Sequence, residues 1–248
     1  MGSSPIKSTL KMKIDKIYIL AINITQDKID SIKKRLDNCD FGTNIGYEIL
    51  NGHDGRKDPM PEGSAVYEGW AKEPYTWNKF WQQPVNKGEV GCALSHINAW
   101  HHVANGEEER CLVLEEDFFA VKSLYALPEV NPDLPIVWDY CALGRWIFNK
   151  DNDVILDETF CIPSLHYNMH AYILTKTGAQ KLVDYQLEKN IIPSDEFITA
   201  TYLNHRRQDI EELFPIKTMS VIATREDWFN QSSDGETSLV SKHGWRTT

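Results

Sequence analysis

Several things are scarce in this chain of 248 residues, and each scarcity closes off a class of protein. There is no CxxC pair. Cys39, Cys92, Cys111, Cys141 and Cys161 stand far apart, several of them inside apolar runs, where cysteine behaves as a small hydrophobe. That spacing argues against a zinc site and against a disulfide framework, and it predicts a cytoplasmic protein. Long apolar runs are missing too. Residues 17–22, the longest early run, fall far short of the roughly 20 residues that cross a bilayer, and no signal-peptide pattern precedes them. Positive charge is not in excess: a net charge of −10 counts against an overall electrostatic grip on nucleic acid. Residues 1–35 are the exception, with eight Lys or Arg against three Asp, a local balance of +5. Such a segment suits a solvated helix face, a peripheral contact at the inner face of a membrane, or a phosphate-bearing acceptor. Repeats and linkers are also absent, so we expect one domain over residues 13–230, with 1–12 and 231–248 as flexible tails or a closing segment.

What the chain does contain is an ordered series of apolar runs. Residues 16–23 read as a buried strand, rich in β-branched and aromatic residues. Thr25 is placed to cap a helix whose apolar side is Ile29, Ile32 and Leu36. Residues 47–50 form a second strand, stopped by the turn signal Asn51-Gly-His-Asp54-Gly55. A helix over residues 88–103 follows from the stripe Val90, Ala93, Leu94, Ile97, Trp100 and Val103, with Gly106 near its end. Strands are expected at 111–114, 138–144 and 169–174, and a helix from Thr177 to about Leu187. Another helix opens at Pro193, capped by Ser194 or Asp195. This alternation predicts an α/β fold. Residues 57–86 differ, with prolines at 59, 61, 74 and 84 and six aromatics from Tyr67 to Trp81. Those rings suit platforms for sugars or bases, and they equally suit anchors for a long loop.

The most telling stretch is Cys111-Leu-Val-Leu-Glu115-Glu116-Asp117, an apolar strand that ends in three carboxylates. In extended geometry Glu115 and Asp117 share one side and Glu116 takes the other. Ligands in open α/β sheets bind beyond the carboxyl ends of strands, where paired carboxylates can seat Mg²⁺ or Mn²⁺ carrying a diphosphate. A solvated acidic loop is the plainer alternative.

These landmarks, taken in order, resemble glycosyltransferase family 25, which includes bacterial lipooligosaccharide galactosyltransferases and collagen galactosyltransferases. Gly88-Glu-Val-Gly-Cys-Ala-Leu-Ser-His96 is similar to the family's Gly-x-x-Gly-Cys-x-x-Ser-His signature, and residues 112–117 to its Leu-Glu-Asp-Asp motif. His53-Asp54-Gly55 resembles its Asp-Gly turn, residues 139–144 its strand ending in Leu-Gly, and residues 171–179 its Ala-Tyr strand and Gly-Ala helix. Residues 193–197 resemble the segment that holds a lone Asp. Two departures stand out. Asp27, Lys28 and Ile29 replace arginines expected after the first strand, and Glu116 replaces an aspartate.

The resemblance implies a single domain of GT-A type, with a mixed, mostly parallel sheet flanked by helices. It implies transfer of a hexose from a nucleotide sugar, a UDP-hexose, with inversion, onto a hydroxyl of a glycan or lipid-linked saccharide such as lipopolysaccharide. Asp117 with Glu115 would hold Mn²⁺ or Mg²⁺, and Asp195, or else Glu196, would act as base. Asn23 and Asp54 would meet the base or ribose, and Ser95, His96 and Glu115 the donor's phosphate or sugar. Plainer roles exist for several: Asp195 as a helix cap, Asp54 as a turn residue, His96 as a structural histidine. The alternatives in function are a hydroxylated DNA base or a protein hydroxyl as acceptor, or a non-catalytic carbohydrate-binding protein on the same fold.

Overall fold

The computed structural model describes residues 10–42, 45–71, 81–147 and 150–232. Its first third follows the strand and helix alternation: β1 (Lys16–Ala21), α1 (Gln26–Asp37), β2 (Tyr47–Asn51), α2 (Lys87–Asn105) and β3 (Arg110–Glu115). Short strands come next: β4 (Phe118–Ala120), β5 (Tyr140–Ala142), β6 (Trp146–Ile147), β7 (Val154–Ile155), β8 (Phe160–Ile162) and β9 (His166–Tyr167). The chain continues through β10 (Ala171–Thr175), α3 (Lys176–Asp184), α4 (Ser194–Tyr202), α5 (Gln208–Leu213), β11 (Val221–Thr224) and β12 (Phe229–Gln231).

Eight strands join in the order β2-β1-β3-β10-β5-β11-β8-β7. Only β10 and β8 run against the other six, so the sheet is mixed and mostly parallel, flanked by helices. Two small ribbons, β12-β4 and β6-β9, stand apart from it. Alternation along the central strands sends side chains into two separate cores. Tyr18, Leu20, Val113, Tyr172 and Leu174 pack with α2, α3 and α4 on one face. Ile17, Ile19, Leu112, Leu114 and Ile173 pack with Ile32 and Leu36 of α1 on the other. Among the described residues no helix is long and apolar enough to cross a membrane.

Helix ends follow local chemistry. Thr25 caps α1 as expected, accepting from Lys28 N–H. α2 starts one residue ahead of the expected glycine because Asn86 and Glu89 form a reciprocal capping box. At α4 the expected cap by Ser194 or Asp195 is corrected: Pro193 occupies that position without a side-chain cap, and both residues lie in the first turn. α3 begins at Lys176 because Thr175 caps it, and it ends at Asp184, short of the expected Leu187; Gln186 beyond it takes a left-handed φ of 55°.

Gly91 explains half of the Gly-x-x-Gly spacing. A Cβ there would stand 2.5 Å from His53 O and 2.7 Å from Gly55 N, so the 53–55 turn lies backbone to backbone on α2. Gly55 is as tight from the other side, with Lys87 O 2.0 Å from its would-be Cβ. Gly91→Ala should therefore lower stability by about 1–3 kcal/mol, because neither backbone can give way. Gly46→Ala, whose Cβ would meet nothing within 4 Å, should stay within about 0.5 kcal/mol of the parent. Urea midpoints at unchanged slope measure both.

Candidate active site

The end of β3 is held from both sides. Glu115 N–H donates to His170 O (2.9 Å) and Glu116 N–H to Leu20 O (3.0 Å), after which the chain turns at residues 116 and 117. Glu116 leaves the cluster and pairs with Lys28 Nζ of α1 at 2.8 Å, and the same Nζ donates to Ile22 O. The two departures from the family pattern are thus bonded to each other. Glu115 stays inside: Oε1 accepts from His96 Nε2 (3.2 Å) and Oε2 from Gln231 Nε2 (2.9 Å). Burial pushes the Glu115 carboxyl up, but the hydrogen bond from His96 and the imidazoles of His96 and His170 beside it outweigh this and hold it low. Asp117 is 7% exposed, and its Oδ1 is buried with no hydrogen-bond partner among the described residues. Burial first, then the Glu115 and Glu116 charges, drive its carboxyl up. An orphaned, crowded carboxylate oxygen is costly unless a cation or proton meets it.

His96 and Ser95 face inward, away from the donor role that the resemblance implies for them. Trp100 Nε1 can only donate, and it donates to Tyr172 Oη (3.1 Å). Tyr172 O–H is then turned to His96 Nδ1 (3.0 Å), which leaves His96 Nε2 to carry the hydrogen given to Glu115. This directed chain fixes the tautomer and orients the carboxylate. Ser95 Oγ accepts from His53 N–H (2.9 Å) and donates to Gly91 O (2.7 Å), pinning the 53–55 turn to α2. The Ser-His pair is the backing of the site.

Asp195 reaches the same region from α4. It is partly exposed, and its oxygens accept from Glu196 N–H (2.9 Å) and more weakly from Asn168 N–H (3.5 Å). Asn168 holds a left-handed φ of 74° to present that donor. Burial and the neighbouring Glu196 charge raise Asp195 to about 7. Cys92 links it to the acidic strand, lying 3.8 Å from Glu115 Oε1 and 3.5 Å from Ser194 Oγ. Glu196 is different: it is 3% exposed, Oε1 accepts from Trp81 Nε1 and Tyr167 O–H (both 2.6 Å), and Oε2 faces His205 Nε2 (2.9 Å). Its oxygens are taken up in the interior.

The aromatic segment is anchored at both described ends. Trp70 and Trp81 are buried, and the Arg207 guanidinium lies 4.3 Å and 5.8 Å from their ring centres. Arg207 also bonds Trp70 O and, in bidentate fashion, Asp209. Tyr75, Trp77 and Phe80 lie outside the described residues.

At the ends of β1 and β2, exposed Asn23, with a left-handed φ of 51°, donates to buried Asp54 (3.2 Å) and accepts from Lys57 Nζ (2.9 Å). Burial works against charge on Asp54, but Asn23, Arg56 N–H and Lys57 outweigh it and keep the carboxyl low. This polar patch is separate from the Glu115, Cys92 and Asp195 group and shares with it the carboxyl edge of the first strands. The sequence reading missed Cys92, His170, Gln231 and Lys28. Cys92 alone carried a signal, standing inside the Gly-Cys signature; the rest meet the site only through long-range pairing.

The model of the family described as glycosyltransferase family 25 (LPS biosynthesis protein) matches residues 14–198. Procollagen galactosyltransferase 1 of Danio rerio is 26% identical over 221 residues, covering 84% of this chain and 35% of its own length. A probable inactive glycosyltransferase 25 family member 3 of Bos taurus is 22% identical over 247 residues, 90% of this chain and 38% of that protein. The chain thus spans little more than a third of the length of these relatives. A solved glycosyltransferase involved in the glycosylation of the major capsid of PBCV-1 aligns at a TM-score of 0.41 and 12% identity, over 88% of this chain and 93% of that one. Because the family model runs from just ahead of β1 into α4, the chain belongs to glycosyltransferase family 25.

Proposed function

We propose that the chain is an inverting glycosyltransferase that moves a hexose from a nucleotide sugar, UDP-linked, to a hydroxyl of a glycan or lipid-linked saccharide. One observation carries the reading: a buried carboxylate oxygen without a partner, Asp117 Oδ1, beside Glu115 and joined through Cys92 and Ser194 to a partly exposed Asp195. A binding scaffold has no use for so costly a group, and a relative described as inactive shows that family membership alone does not decide the matter. The donor set fits a hard cation, Mn²⁺ or Mg²⁺, held by Asp117 with Glu115. When bound, such an ion supplies Lewis acidity toward a departing diphosphate.

This chain's own residues do the rest. Asp195 takes the proton of the attacking hydroxyl, since it is the partly exposed member of the α4 pair and its raised proton affinity suits a base near neutral pH. Glu196, bonded by Trp81, Tyr167 and His205, fixes the start of α4. His96 holds Glu115 in orientation. Asn23 and Asp54, with Lys57, offer an amide, a carboxylate and an ammonium to the nucleoside end of the donor. The procollagen galactosyltransferases among the relatives support galactose as the sugar and a protein hydroxyl as the second acceptor class to test. A DNA acceptor has less support, because Lys13, Lys16 and Lys28 of the basic segment are already paired with carboxylates.

Incubation with Mn²⁺ and a panel of nucleotide sugars should release nucleoside diphosphate, faster with a saccharide acceptor. Asp117→Asn should abolish both the release and its metal dependence; unchanged turnover would remove Asp117 from the seat. Asp195→Asn should cut transfer by about 10²–10⁴-fold while donor affinity stays within about twofold.

The pH dependence has a definite sign. In the parent, kcat/KM should fall on the acid side with a midpoint near 7, as Asp195 gains its proton. A limb that survives in Asp195→Asn would assign it to another group. Stability runs the other way. The folded state holds this proton more tightly than the unfolded chain, whose ordinary value is 3.8, so the contribution is present at low pH and lost as pH rises through about 7. Asp195→Asn should accordingly melt higher than the parent at pH 8, with the gap shrinking toward pH 4.

A further inference from the structure

Among the described residues four Phe, Tyr or Trp side chains are exposed: Tyr47, Phe119, Tyr125 and Trp146. Tyr47 opens β2, at the end of the sheet opposite the carboxyl edge. Phe119 and Tyr125 lie beside α1 and the turn after it, where Arg35 bonds Phe118 O and Tyr125 N–H bonds Asp40 O. Trp146 differs in place. Its strand, β6, follows β5, and the partner strand β9 precedes β10, in each case by only a few residues. Because β5 and β10 are neighbours in the sheet, and β10 starts across from the end of β3, this ribbon stands beyond the carboxyl edge.

The ribbon is fastened to α4 and to the acid that α4 carries. Trp146 and Tyr167 face each other across β6 and β9, so their side chains share one side of the ribbon, and their rings stack at 15° with centres 6.0 Å apart. Tyr167 O–H donates to Glu196 Oε1 (2.6 Å), and the next residue, Asn168, gives its N–H to Asp195 Oδ2 (3.5 Å). At the other end of α4, Tyr202 O–H donates to Ser164 O (3.2 Å). The root of β6 is tied as well: buried Arg145 pairs with Asp153 at 2.6 Å, and its backbone N–H bonds Asp227. These contacts set the Trp146 backbone within roughly 12 Å of Asp195 Oδ2, about the span of a disaccharide. The indole, 43% exposed, is a rigidly held apolar surface beside the base.

We propose that Trp146 is the platform of a second acceptor subsite, on which the sugar ring next to the reacting one is laid. This rests on reading Asp195 as the base and Asn23 with Asp54 as the nucleoside end. With the donor on the β1 and β2 side of Glu115, the β10 and β5 side is left for the acceptor. A pyranose ring has an apolar face of C–H bonds, which an aromatic face covers, while its hydroxyls stay at the rim, where exposed Asn168 stands. The substrate class follows: a saccharide of at least two rings, in preference to a single sugar or a lone hydroxyl on a polypeptide.

The test offers the full chain, with Mn²⁺ and the nucleotide sugar it hydrolyses fastest, two sets of acceptors: methyl glycosides of single hexoses, and methyl glycosides of disaccharides that end in the same hexoses. The parent should use the disaccharides with kcat/KM about tenfold higher. Trp146→Ala should remove that preference, and so should Trp146→Leu, which fills the place without a ring. Trp146→Phe, which keeps a ring against Tyr167, should retain most of it, and the three variants together separate loss of the ring from loss of the fold. Equal use of one ring and two by the parent, a preference that survives Trp146→Ala or Trp146→Leu, or transfer to hydroxyl-bearing peptides alone overturns the platform and leaves the active site standing. Transfer to none of these acceptors while the donor is still hydrolysed overturns it too. Absence of nucleoside diphosphate release with every donor removes the reading of the site itself.

Discussion

Mutual repulsion among Glu115, Glu116 and Asp117, at a strand end from which water is largely excluded, is the constraint around which the rest is arranged. The strand cannot retreat, because the amides of Glu115 and Glu116 are bonded to His170, just ahead of β10, on one side and to Leu20 of β1 on the other. Each charge is therefore met where it stands. Glu116 is drawn off by Lys28, and Glu115 is satisfied by His96 and by Gln231. Of the three, Asp117 has a buried oxygen, Oδ1, that neither a hydrogen bond nor an ion pair meets among the described residues. Low dielectric makes each of these contacts stronger, and it makes the one omission more expensive.

A second buried carboxylate organises the acceptor side by the reverse principle. Glu196 is saturated, and the groups that saturate it come from the aromatic segment (Trp81), from β9 (Tyr167) and from the turn after α4 (His205). Arg207 ties the other described end of the aromatic segment to the same place. The residue next to Asp195 thus fixes the base in space while offering no free oxygen of its own. Adjacent acids in one helical turn have been separated into a reactive group and a structural one by their surroundings.

Much of the layout was legible in the sequence because it is local. Apolar alternation gave β1, β2, β3 and β10 to within a few residues, and the α2 stripe lies on the core as drawn. Thr25 as a cap follows from three neighbouring residues. β5 falls inside the strand expected at 138–144, whereas β4 and β6 to β9 were not legible: two or three residues carry no period, and their pairing depends on distant partners. The same limit applies to the site. Glu115 and Asp117 announce themselves by type, whereas His96 reads the same whether it faces a ligand or a core. Only the Trp100–Tyr172 chain, 72 residues long in sequence, settles which nitrogen carries hydrogen.

The ion pair between Lys28 and Glu116 has a bearing on how the family's members are compared. Each residue alone looks like the erosion of a motif, an arginine lost in one place and an aspartate in another. Joined at 2.8 Å, each meets the charge of the other. Changing either singly would strand a largely buried charge, so the two positions should vary together. Two departures that answer each other in space leave the strand end as well supported as the motif they depart from, so neither marks this chain as a degenerate copy of the fold.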